Sequence, residues 1–117
     1  MSTRAELEAA LAKAEADWRR ANAQLDKTQA ERVKANDEWA KANADRRSTD
    51  ADRRKAGAVW SEADRRKAAA DRRRVEAVRD QANTDWDQAL AARREARAVW
   101  DRARAALDEL DRAERKS

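Results

Sequence analysis

Residues 44–60 read ADRRSTDADRRKAGAVW: Ala-Asp-Arg-Arg occurs twice, seven residues apart, and the stretch closes on Trp60 in a chain of 117 residues without Phe or Tyr. The seven-residue beat extends far beyond it. Cut into sevens from residue 16, the chain needs no insertion or deletion, and one column runs Ala21, Thr28, Ala35, Ala42, Thr49, Ala56, Ala63, Ala70, Ala77, Thr84, Ala91, Ala98, Ala105 before ending at Arg112. A face that returns every seventh residue is the mark of a helix packed along a seam. The chain has no Pro and a single Gly, Gly57, and its bulk is Ala, Arg, Glu, Lys and Leu, which all favour helix. The expectation is an all-α protein: a long, nearly continuous heptad-repeat helix that forms a coiled-coil or helical-bundle assembly. It is read as one helical region over residues 1–117.

Turn signals are thin. Ser48-Thr49-Asp50 and Asn83-Thr84-Asp85 have cap-forming residues, but the repeat itself places an acid three residues after each Thr, and neither site has the Gly or Pro of a helix-to-helix loop. Both are read as helix interior.

The hydrophobic content is mostly methyl groups. Of 48 hydrophobic residues 31 are Ala, leaving six Leu, five Val, five Trp and Met1 to supply every larger apolar side chain. Such a set cannot fill a globular interior, so a compact monomer is not expected. The tryptophans carry most of the area, and their placement is regular. Trp18, Trp39, Trp60, Trp86 and Trp100 each have Ala four residues before and three after, the two positions that flank a side chain on its own helix face. Each indole is thus a knob surrounded by room.

Two seams follow. Leu11, Trp18, Leu25, Trp39 and Trp60 share one with the Ala/Thr column; Trp86, Trp100, Leu107 and Leu110 form another on the nearly opposite face, accompanied by Ala82, Ala89, Ala96 and Ala103. Ala9, Ala16, Ala23, Ala30, Ala44, Ala51 and Ala58 extend the second seam into the first half of the chain. A helix with two opposed seams contacts neighbours on both sides, so the expected function is structural self-assembly into a homo-oligomer, bundle or filament. Trp18, Trp39, Trp60, Trp86, Trp100, Leu11, Leu25 and Leu107 are the expected assembly residues.

Charge suggests a rival. Residues 46–74 carry eleven basic and five acidic groups, whereas residues 1–45 carry eight and nine and residues 75–117 nine and ten. Arg65, Arg66, Lys67, Arg72, Arg73 and Arg74 in this basic centre are candidates for weak binding of a polyanion such as nucleic acid. Two further readings are a desiccation-type helical protectant and a monomeric three-helix bundle. The charge and Ala content are similar to those of late-embryogenesis proteins, a resemblance that implies disorder in water, but those proteins repeat by eleven and this chain repeats by seven.

Catalysis is not expected. Neither His nor Cys is present, no glycine loop can cradle phosphate, and the carboxylates are dispersed among arginines. No metal, cofactor or small-molecule substrate is expected. No apolar run could span a membrane and the N-terminus lacks a signal-peptide pattern, so a cytoplasmic location is the default expectation.

Overall fold

A computed structural model describes residues 3–57 and 60–116; these form two α-helices, α1 (Arg4–Lys55) and α2 (Glu62–Lys116), with no strand among the described residues. The protein is all-α and built from long heptad-repeat helices. Ala58, assigned above to the second seam, lies outside the described residues.

Each helix start is capped. The Thr3 hydroxyl accepts the Glu6 N–H at 3.2 Å and the Thr3 carbonyl accepts the Leu7 N–H at 3.0 Å, which satisfies the first donors of α1. Ser61 and Asp64 form a reciprocal capping box for α2: the Ser61 hydroxyl accepts the Asp64 N–H at 3.1 Å, and the Asp64 carboxylate accepts the Ser61 N–H at 3.4 Å.

Among the described residues, helical continuity is interrupted once, between α1 and α2. Gly57 adopts φ +66°, a left-handed conformation that side chains with a Cβ resist, and its N–H closes a turn on the Arg54 carbonyl at 3.2 Å. The single Gly therefore stops α1, and the Ser61–Asp64 box starts α2 four residues later. Thr49 and Thr84 do the opposite of capping. Their hydroxyls donate to the carbonyls of Asp45 and Asp80, each at 2.9 Å, within uninterrupted helix.

The pH response of the second cap has a definite sign. Hydrogen bonding from Ser61, through its hydroxyl first and its backbone N–H second, holds the Asp64 carboxyl below its usual range, and Arg53 adds to the effect. A lowered folded-state value means that the contribution is complete above the ordinary carboxylate range and is lost as pH falls through the lowered value. Ser61→Ala should reduce stability by about 1 kcal/mol, measured by urea unfolding followed by circular dichroism. Thr49→Ala, which removes no cap, should stay within about 0.5 kcal/mol.

The chain divides into two compact units, Met1–Lys27 with Asp87–Ser117, and Thr28–Trp86. Both helices contribute to both. In the first unit, Arg4 Nη2 donates to Asp111 at 2.6 Å and also to Glu114. Two heptads further along α1 and two heptads back along α2, Trp18 meets the Arg97 guanidinium 5.8 Å from its ring centre. The helix segments are therefore antiparallel. The hydrogen bonds to Asp111 first and Glu114 second raise the pKa of Arg4.

The second unit is an antiparallel helical hairpin. Arg32 lies 4.3 Å from the centre of the Trp86 ring and its Nε donates to Asn83 at 3.0 Å. One heptad on along α1 and one back along α2, Trp39 receives Arg79 at 4.1 Å. Next to the turn, Arg53 stacks on Trp60 at 3.9 Å and pairs with Asp64 at 3.5 Å.

Packing is narrow and mostly alanine. Among the described residues the buried apolar ones are Ala14, Leu25, Ala35, Ala82, Ala89, Ala103 and Leu107, and Thr28 is the buried polar residue that accompanies them. Side chains this small let helix backbones approach closely but remove little apolar area from water. Among the described residues no buried side-chain polar atom lacks a hydrogen-bond partner.

Candidate functional site: the tryptophan–arginine seam

The two seams divide between the helices. Along α1 the Ala/Thr column turns inward, with Ala14, Thr28 and Ala35 buried and Ala21 and Ala42 partly so. Along α2 the same column faces out: Ala63, Ala70, Ala77, Ala91, Ala98 and Ala105 are all exposed. The second seam behaves in the opposite way. Ala82, Ala89, Ala103 and Leu107 are buried on α2, whereas Ala9, Ala16, Ala23, Ala30, Ala44 and Ala51 are exposed on α1. The non-helical turn resets the angular phase, so the two sequence seams supply the inward faces of successive helices. Each helix keeps an Ala stripe on its outer side.

The residues singled out from sequence fall accordingly. Leu25 and Leu107 are buried, Leu11 is half-buried, and so are Trp18, Trp39, Trp60, Trp86 and Trp100. For four tryptophans the flanking alanines are inward residues. Trp60 is different: Ala56 and Ala63 are exposed, because Trp60 stands in the turn and no continuous helix aligns the three.

Arginine was the unrecognised partner of every ring. Arg32, Arg79 and Arg53 cover Trp86, Trp39 and Trp60, and Arg97 lies between Trp18 and Trp100, 4.8 Å from the centre of the latter. A guanidinium over an indole face gains about 0.5–1 kcal/mol when exposed and more when desolvated. A sequence signal did exist. Arg32, Arg46 and Arg53 sit at whole heptads from Trp18 and Trp39, and Arg72, Arg79 and Arg93 at whole heptads from Trp86 and Trp100. The ring column is also a guanidinium column, and Arg97 is the one ring partner that lies outside it.

The six candidate polyanion residues do not form one cluster. Arg65, Arg66, Lys67, Arg72, Arg73 and Arg74 are all exposed on α2 and point around it. Arg66 pairs with Glu62 at 2.7 Å, Arg74 lies 3.9 Å from Asp71, and Arg73 donates to the Ala69 carbonyl at 3.3 Å. Arg65 and Arg72 instead line an open groove of about 500 Å³ with Arg46, Arg53 and Arg54 of α1. A neighbouring groove of about 280 Å³ is more apolar, with Trp39, Ala42, Trp60, Ala68 and Val75 among its lining residues. Trp60 borders both.

Among the described residues, no group of three or more acidic side chains is arranged to hold a metal ion. No described helix is long and apolar enough to cross a membrane. Compared with protein-family models, with curated proteins and with solved structures, the chain matches none.

Proposed function

We propose that the protein is structural and acts by self-association, with a second copy closing the half-covered tryptophan seams of the first. One observation carries this reading: among the described residues the buried core consists of five Ala, two Leu and one Thr, while all five Trp remain partly open to water. A two-helix unit with so little enclosed apolar area is marginal alone. Apposing a second pair of helices is the common way to enclose the open side, as in a four-helix bundle. The apolar groove bordered by Trp39, Trp60 and Val75 supplies a recess for side chains of a neighbouring copy. On this reading the protein performs no catalysis and its partner is itself.

Light scattering coupled to size separation tests the proposal. The expected mass at micromolar concentration is two chains or a multiple of two, with a melting temperature that rises with protein concentration. Tryptophan emission should be blue-shifted and move to the red on dilution. A single-chain mass with concentration-independent melting would overturn the reading.

A further inference from the structure

The register of the hairpin unit has a consequence near its turn. Arg32 faces Trp86, and one heptad on, Trp39 faces Arg79, so both layers join a cation to a ring. The next two steps of seven bring Arg46 opposite Arg72 and Arg53 opposite Arg65. Where the first layers set a guanidinium against an indole face, these two set cation against cation. Arg53 is relieved by Asp64 at 3.5 Å and by the Trp60 ring at 3.9 Å. Arg46, Arg65 and Arg72 form no ion pair among the described residues, and neither does the adjacent Arg54. The groove of about 500 Å³ is lined by these five arginines, and Asp50 is its single carboxylate.

Like charges placed face to face across a helix pair are destabilising. Elsewhere the same column uses Leu11, Trp18 and Leu25, so apolar side chains are compatible with its geometry. Four seam arginines at one end therefore lower stability locally and create a concave, strongly positive surface. Guanidinium groups stay charged at every physiological pH and match phosphate oxygens with paired N–H donors. The groove has the dimensions of a small-molecule site.

We propose that this groove is a binding site for a compact oligophosphate anion, held by Arg46, Arg54, Arg65 and Arg72, with Arg53 anchored on Trp60 as its floor. The bound anion sits between the facing guanidinium groups and converts their repulsion into bridging contacts. Oligophosphate chemistry occurs in inorganic polyphosphate and in nucleoside triphosphates, and both present three or more closely spaced charges. Every residue of the site belongs to one hairpin, so a single chain supplies it whole; Arg46, Arg72 and Trp60 also line the neighbouring apolar groove.

Isothermal titration calorimetry at low salt, with inorganic tripolyphosphate as the probe, tests the proposal. The expected result is saturable binding at one anion per chain, accompanied by a rise in melting temperature. Arg46→Gln with Arg72→Gln should weaken binding by about tenfold or more, through loss of charge-assisted contacts. The same pair should raise the melting temperature of the free protein, because it removes a facing charge pair; weaker binding therefore cannot be misfolding. Arg102→Gln with Arg112→Gln, exposed and outside the hairpin unit, removes equal charge and should change binding less than about threefold. ATP should bind comparably to tripolyphosphate. Equal weakening by both double variants, absence of saturable binding, or binding confined to long oligothymidylate would each overturn the proposal in favour of diffuse electrostatics.

Discussion

Ala35→Asp should unfold the hairpin unit, lowering stability by about 3–5 kcal/mol, the range found when a buried charge is left without a partner. Ala35 is only 5% exposed and, with Ala82 of α2 at 8%, belongs to the buried alanine seam. The short Asp side chain holds its carboxylate within the buried seam. Burial therefore penalises the charged form, and protonation replaces that penalty with an unsatisfied hydroxyl. Ala40→Asp supplies the comparison. Ala40 is exposed on the same helix, so the change measures helix propensity alone, about 0.7 kcal/mol. Urea unfolding followed by circular dichroism should separate the two variants widely. Similar losses in both would mean that the alanine seam contributes no more than helix propensity.

Trp39→Ala is expected to cost about 2–3 kcal/mol, below the ~3–5 of a fully enclosed aromatic because the ring is only half-buried. Two contributions are lost together: apolar area over Ala42 and Val75, with which Trp39 lines the apolar groove, and the ring face under Arg79. Arg79→Ala alone should cost about 0.5–1 kcal/mol. A double-mutant cycle isolates the cation–ring part, because the double variant should be less destabilised than the sum of the singles by about that amount. Strict additivity would mean that the guanidinium lies over the ring without energetic coupling. A second consequence links stability to assembly. If a neighbouring copy covers the open side of Trp39, its removal should shift the monomer–oligomer balance as well as the melting temperature.

Several features were legible in the residues because they depend on neighbours three to seven positions away. The heptad column from Ala21 to Ala105 required helix, and the alanines flanking Trp18, Trp39, Trp86 and Trp100 marked the inward positions of both helices. Trp60 satisfied the same spacing and concealed the turn beside it. The informative signal there was composite: one Gly in the whole chain, followed after three residues by Ser61 with an acid at Asp64. Thr49 and Thr84 have comparable cap spacing yet lie inside helix, where each hydroxyl bonds a carbonyl one turn back. Neither site has a preceding Gly, and the cap spacing alone does not end a helix.

Sequence by itself determined the helical state, the seven-residue period and the placement of large rings among small neighbours, all consequences of local backbone geometry. Only the tertiary structure decided that the two seams serve different helices, because the break between α1 and α2 resets the phase by an amount that no periodicity encodes. The same turn sets the register, and the register decides which arginine meets a ring and which meets another arginine. Arg32 and Arg46 occupy equivalent heptad positions in sequence. One lies against Trp86, and the other lines a groove with Arg72, a distinction that exists only once α2 has folded back beside α1.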